Sequence, residues 1–499
     1  MPSSTDTSAT ATGSREATTR AVQALADWIP GWIDLRRRML QVPGVQVSIR
    51  VGGDLLVNAA LGTADAERNV PLTTDHLFRI ASHSKTFAAT ACLILSEQGR
   101  LRLDDTVEQW VPELADTELA PLTVRALLGH QAGVIRDGVD SDYWQLIHDF
   151  PDEGALVDAL HVKGSTFGPN EYFKYSNYGF SIVGMIVARV TGTSFNDFVR
   201  AEILDRLDLP RVHPDVDGID PAELSAGHSL RLDAADEQFV MGNPSTGAMA
   251  AATGFVACAQ DLTAYASGHL PGDERLISDA GKRLMQRTES IVEVRGEEKG
   301  RYGLGVELHT IGKRKTFGHS GGFPGFITRT FVDPADELVV SVLTNQSGGP
   351  AHELAVGVLG MIDLAVAAQS AGDEWPAVPN GMDASSFATR LVAGFGYQDI
   401  VDVGGRLALI HPGMPDPASE VAHLAVVDED SLTVLPSPGY AVAGETVQLD
   451  RDSAGTITSA VVGGMRSWPV AEFLARRRSQ MARTSGDPGA APAETVDVS

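Results

Sequence analysis

Strand-like runs stand at both ends of roughly the first 370 residues, and helix-like runs fill the interval. Near the start, VQVSIRV and DLLVNAALG flank Gly52-Gly53, the pattern of a hairpin with a tight turn. Near the end, RYGLGVELHTIG, KRKTFGHSGG, FITRTFVD and LVVSVLTN read as successive strands, followed by the helix-like GGPAHELAVGVLGMIDLAVAA. Between them lie apolar helical runs, SHSKTFAATACLILSEQ closed by Gly99 and SIVGMIVARVTG among them. A short run of strands cannot bury its apolar face alone. The economical solution is one antiparallel sheet assembled from the two ends and flanked by helices, an α/β (α+β) domain spanning residues 17–372.

The character changes at AGDEWPAVPNG, 371–381. Beyond it RLALI, EVAHLAVVD, SLTVL, ETVQLD and TITSAVV alternate with Gly, Asp and Pro, which predicts a small antiparallel β-barrel or sandwich over 380–475. Residues 18–40 carry helical periodicity, with Arg36-Arg37-Arg38 where cations suit the helix dipole. The ends, 1–16 and 478–499, are rich in small and polar residues and are expected to be disordered.

Charge narrows the partners. The formal net charge of −26 over 499 residues disfavours nucleic acid and anionic membrane surfaces, which would repel the chain. Cys92 and Cys258 are too few for a disulfide framework or a Cys-based zinc site. The start lacks the apolar stretch of a secretory signal, and no run of about 18 apolar residues stands out, so a cytoplasmic location is expected. His352-Glu353 begins an H-E-x-x-H, but Val356 occupies the second ligand position. Trp28, Trp32 and Phe87 are read as core.

The chemistry turns on which serine reacts. Gly318-His319-Ser320-Gly321-Gly322 fits G-x-S-x-G, which in a nucleophile elbow runs from a strand into a helix. Here Pro324-Gly325 and the alternating FITRTFV follow, so a helix cannot start and Ser320 is read as part of a site wall. The alternative is Ser82-His83-Ser84-Lys85. Positions i and i+3 share a helix face, so an amine can reach the hydroxyl. A serine attacks at neutral pH only if a base takes its proton, and lysine is such a base only when burial or a nearby cation lowers its pKa. Tyr175-Ser176-Asn177 leads into the buried helix. A phenol drawn toward phenolate by the lysine would relay protons, and Asn177 would hold Lys85 and a substrate amide. His319-Ser320-Gly321 lies on a strand where Gly321 and Gly322 let a substrate backbone lie close. Each motif alone is weak, and a capping tyrosine or a core histidine is the plainer reading of its parts. The three together, each in suitable secondary structure, are not.

FRIASHSKTFAATACLILSEQGRLRLDDTV, LTVRALLGHQAGV, YSNYGFSIVGMIVARVTG and GHSGGFPGF resemble the penicillin-recognising serine hydrolases: class C β-lactamases, D-alanyl-D-alanine carboxypeptidases, D-aminopeptidases and related esterases. The resemblance covers roughly residues 40–365. It implies Ser82 as the acylated nucleophile, Lys85 as its base and Tyr175 as general acid/base. It implies Asn177 as a partner of lysine and substrate, and His319, Gly321 and Gly322 as the third wall. The N–H groups of Ser82 and Gly322 would form the oxyanion hole. Such enzymes need no metal or cofactor. His319 stands where β-lactamases carry a cationic lysine, and Lys315-Thr316 followed by Phe317 is a decoy of that motif. An imidazole with an ordinary pKa near 6.5 is mostly neutral at pH 7, so carboxylate binding there is weakened, and a requirement for neutral His319 predicts activity rising through pH 6 to 7. The β-rich C-terminal segment resembles the lipocalin-like domain that H-x-G relatives append. His130 matches a family loop and is read as structural, and His83 points away from Lys85. The expected activity is hydrolysis of an amide or ester in a small molecule or short peptide. Acyl transfer or peptide cyclisation from the same acyl-enzyme and a non-catalytic scaffold are the alternatives. Oligomeric state is left open, a homo-oligomer included.

Overall fold

The structure, a computed structural model, describes residues 6–232, 237–436 and 442–484. The expected disordered ends lie outside the described residues at 1–5 and beyond 484; helices Asp6–Ala24 and Val470–Thr484 occupy their inner parts. The chain divides into two compact units. Among the described residues, one comprises those up to Thr19 and from Leu40 to Leu359; the other comprises Arg20–Met39 and those from Gly360 onward.

The first unit is built on a nine-stranded antiparallel sheet. Its strands are β1 (Gly44–Val51), β2 (Asp54–Asp65), β3 (Val70–Pro71), β4 (Ser290–Val294), β5 (Glu297–Tyr302), β6 (Glu307–Ile311), β7 (Arg314–Phe323), β8 (Phe326–Asp333) and β9 (Leu338–Thr344), in the order β3-β2-β1-β9-β8-β7-β6-β5-β4. The two ends of the sequence join where β1 pairs with β9, from Val45 opposite Thr344 to Val51 opposite Leu338. Gly52 and Gly53 both have positive φ, which the β1–β2 turn requires. The expected single strand over RYGLGVELHTIG is two, β5 and β6. Between them Gly305 takes φ 70°, and a Cβ on Gly303 would strike the Met285 carbonyl at 2.2 Å, so the chain turns there instead of running on.

The helix Ala259–Ser267 packs against β1 and β9, and two central helices pack on each other beside the sheet. Ser84–Glu97 is buried at every position from Ser84 to Leu95, which its Ala-rich, all-round apolar sequence permits. Asn177–Thr191 is buried from Asn177 to Val187; Ser176 caps its start by accepting the Gly179 N–H at 2.8 Å, and Gly192 ends it in the left-handed region. Phe87 and Trp32 are fully buried. The helix Ala351–Ala368 is long and apolar enough by length and composition to cross a membrane, although His352, Glu353 and Asp363 interrupt it. Just over half of it is buried, and its buried positions, Leu354, Ala355, Val358, Leu359, Ile362 and Ala365, recur at the spacing of a helix packed on protein.

The second unit is an eight-stranded antiparallel meander, from Thr389–Ala393 through to Met465–Ser467. It nearly closes into a barrel: Val392 and Trp468 exchange backbone hydrogen bonds of 2.7 and 3.0 Å. Leu391, Ile400, Leu409, Leu424, Val434 and Leu449 are among the side chains that fill its interior. Residues 20–39 belong to this unit and not to the sheet domain. The Trp28 indole N–H donates to Asp399 at 2.9 Å and that of Trp32 to the Pro412 carbonyl at 3.0 Å. Indole donors need a partner when buried, and the barrel supplies both.

Candidate active site

Ser82 sits in a single 3-10 turn, Ala81–His83, that leads directly into the helix Ser84–Glu97. The helix therefore begins two residues later than its pattern suggests. Ala81 carries φ 48°, the left-handed region where a Cβ is strained, and it is fully buried. The turn is clamped from below by His83. Its Nδ1–H donates to the Ile80 carbonyl at 2.9 Å, and its Nε2 accepts from Thr330 at 3.0 Å. Burial lowers the His83 pKa to about 3, so this ring is neutral and holds the turn to β8.

Lys85 is fully buried, and burial lowers its pKa to about 7 against the pull of Asp137. Its Nζ lies 2.8 Å from Asn177 Oδ1, 2.8 Å from the Ala252 carbonyl and 3.2 Å from Ser82 Oγ. Asn177 Nδ2 donates to Asp137 Oδ1 at 2.7 Å, which fixes the amide so that its oxygen faces the lysine. The first two neighbours of Nζ can only accept. A neutral amine has two N–H donors and one lone pair, so with both donors used the lone pair is directed at the Ser82 hydroxyl.

Tyr175 OH donates to Ser82 Oγ at 2.7 Å, and Lys85 Nζ stands 4.7 Å from the centre of its ring. The expectation of a phenol drawn toward phenolate is not met. Burial raises the Tyr175 pKa, with the Ser82 hydrogen bond opposing it, so the group stays a phenol and acts as a donor. His130 supports this wall. Its Nδ1 accepts the Ser176 N–H at 3.2 Å and its ring packs 4.3 Å from that of Tyr175.

The third wall is β7. Arg314–Phe323 runs through a Pro324-Gly325 turn into β8, so no helix follows Ser320. Ser320 Oγ donates to Glu307 Oε1 at 2.7 Å and its N–H points to the same oxygen at 3.4 Å. Pairing of β6 with β7 ends at Glu307 opposite Gly318. Backbone N–H groups alternate along a strand, so the Gly322 N–H points the same way as that of Ser320, past the end of the pairing. The two glycines differ in use. A Cβ on Gly321 would meet the Ile80 carbonyl at 2.2 Å, so this glycine admits the nucleophile turn itself, whereas one on Gly322 meets only Ile327 at 3.7 Å.

His319 is buried and has both nitrogens occupied. Nδ1–H donates to the Ser320 carbonyl at 2.6 Å, and Nε2 accepts from Tyr302 OH at 2.9 Å. Burial lowers its pKa to about 4, with Glu307 opposing. It is neutral throughout pH 6 to 7, so the rise expected there cannot come from His319; Lys85 is the group that titrates in that range. Lys315 and Thr316 pair with Thr310 and His309, toward the other end of β7.

Several contributors carry no motif. Asp137 orients Asn177. Ala252 offers a backbone carbonyl from the buried turn Ala250–Gly254, which no side-chain pattern marks. That turn is anchored by Arg79, whose guanidinium donates to the Gly254 carbonyl at 2.8 Å and pairs with buried Asp215 at 2.9 Å. Glu307 is half-buried. Burial alone would raise its pKa, yet His319, His309, Arg329 and Ser320 together hold it well below the usual range. Arg329 pairs with it directly.

A family model described as "Beta-lactamase" matches residues 20–359. Penicillin-binding protein 4* of Bacillus subtilis (strain 168) is 26% identical over 326 residues, 61% of this chain and 68% of its own length. Penicillin-binding protein 4 of Amycolatopsis lactamdurans is 27% identical over 62% of this chain and 83% of its own. Among solved structures, the octameric penicillin-binding protein homologue from Pyrococcus abyssi shares the fold with a TM-score of 0.59 at 21% identity, covering 88% of this chain and 99% of its own. The D-amino acid amidase from Ochrobactrum anthropi SV3 gives 0.55 at 26% identity, covering 68% and 99%.

Proposed function

Because the chain belongs to the β-lactamase family, we propose that it is a serine hydrolase that cleaves an amide or ester through an acyl-Ser82 intermediate. The observation that carries this reading is Lys85 Nζ, 3.2 Å from Ser82 Oγ, with two acceptor-only neighbours that leave the lone pair of the neutral amine for that hydroxyl. Lys85 takes the hydroxyl proton as Oγ attacks the carbonyl carbon. The oxyanion is held between the N–H groups of Ser82 and Gly322. Tyr175 passes its phenolic proton to the departing amine or alkoxide and is reprotonated by Lys85, which frees the base again. Water then attacks the acyl-enzyme, giving its proton to the same pair, and Ser82 leaves as the alcohol. Asn177 keeps the lysine oriented and offers its amide to the acyl group. The substrates are small molecules or short peptides, and D-aminoacyl amides belong in the first screen given the similarity to a D-amino acid amidase.

The test is to screen p-nitrophenyl esters, D- and L-aminoacyl anilides and nitrocefin with wild type, Ser82→Ala and Ser320→Ala, alongside intact-mass detection of a fluorophosphonate adduct. Ser82→Ala should abolish turnover and adduct, and Ser320→Ala should keep much of both. The reverse pattern would reassign the nucleophile.

A further inference from the structure

Around His319, the third wall offers a substrate no free cation among the described residues: His319 is neutral, and Arg329 is spent on Glu307 and His309. A different cation stands on the Tyr175–Asn177 side. The carbonyl of Arg136 accepts the N–H groups of Asn177 at 3.0 Å and Tyr178 at 3.1 Å, which pins this residue beside the helix start that holds Lys85. The Arg136 side chain is 64% exposed. Its Nε forms an ion pair with Asp137 Oδ2 at 3.0 Å, and the other oxygen of that carboxylate accepts from Asn177 Nδ2 at 2.7 Å. Asp137 and Asn177 thus link the guanidinium to the Lys85 side of the site, where its charge works to lower the pKa of both Lys85 and Tyr175. Only Nε is used; Nη1 and Nη2 have no partner among the described residues, which leaves four N–H donors turned to solvent.

Building on the hydrolase reading, we infer that Arg136 is a specificity residue: its Nη pair binds a carboxylate carried by the acyl part of the substrate, so the enzyme prefers acidic acyl groups. A planar fork with two free donors matches a carboxylate bidentately, and Asp137 holds the fork in place, which lowers the cost of ordering it. In an acidic chain, with a formal charge of −26, such a cation also gives an anionic substrate a local landing point.

The experiment compares two esters with acyl chains of equal length, mono-p-nitrophenyl glutarate and p-nitrophenyl valerate. In wild type kcat/KM for the glutarate should exceed that for the valerate about tenfold at low salt, the worth of one charge-assisted contact. In Arg136→Gln that ratio should fall to about one, mainly through KM, with Arg136→Lys between the two. High salt should shrink the wild-type ratio, since the site is exposed. A wild-type ratio near one, or a ratio that survives in Arg136→Gln, overturns this inference and leaves the hydrolase intact. Failure to turn over either ester, with no adduct at Ser82, removes both.

Discussion

Asp137→Asn probes the base directly. Asp137 is the carboxylate that favours the charged form of Lys85, and it stands one amide away, across contacts of 2.8 and 2.7 Å through Asn177. A separation of about 6 Å gives about 3 kcal/mol at an effective dielectric of about 20, and about half that where water enters the open site. Removing the negative charge therefore lowers the Lys85 pKa, by an amount equivalent to about one to two pH units. The sign follows from the chemistry. The neutral amine is the active form, so activity is lost as pH falls through the lysine pKa, which is about 7 in wild type. The acid limb should have its midpoint near that value and move to about 5 to 6 in Asp137→Asn. Wild type at pH 6 then retains roughly a tenth of its plateau kcat/KM, and the variant roughly half or more. The plateau itself should fall, because a less basic amine is a weaker base and Asn177 loses a charged anchor. The assay is kcat/KM for a p-nitrophenyl ester from pH 5 to 9, each profile scaled to its own plateau. A midpoint that stays put or moves upward would refute the assignment of Lys85 as the titrating base.

His319→Gln should reduce kcat/KM by loosening the third wall, yet leave the acid-limb midpoint near 7, since the imidazole is already neutral above about pH 4; a displaced midpoint in the same assay would return the titration to His319. Gly321→Ala should lower Tm by several degrees and cost activity, because its methyl lands 2.2 Å from the Ile80 carbonyl and overpacking of this kind costs about 1–3 kcal/mol. Gly322→Ala, with 3.7 Å to its nearest neighbour, should leave Tm within about a degree, and equal losses in the two variants by calorimetry would contradict the packing argument.

The sheet was legible because strand alternation survives in sequence: β1 and β9 read as strands on their own, and neither could bury its apolar faces without joining a sheet. The break between β5 and β6 depended on Gly303 and Gly305 meeting distant segments, which no local pattern encodes. The stretch 18–40 was legible as helical, although a turn at 25–27 divides it between Asp6–Ala24 and Trp28–Met39, but not as part of the barrel unit, since its indole partners lie more than 370 residues away. The contrast holds within the site. Ser82 and Lys85 are one helical turn apart, so their meeting follows from chain geometry, and Pro324-Gly325 alone excludes a helix after Ser320.

What the sequence determined by itself is therefore the local chemistry: which hydroxyl has an amine within a turn, which serine lies on a strand, and which segments are strand or helix. Only the tertiary structure decided the electrical state of those groups. Whether Lys85 is a base, Tyr175 a phenol and His319 neutral depends on burial and on charges such as Asp137 and Glu307, which come from distant segments. A pKa is set by everything within a few ångströms in space, and neighbours in space are what a linear pattern leaves unstated.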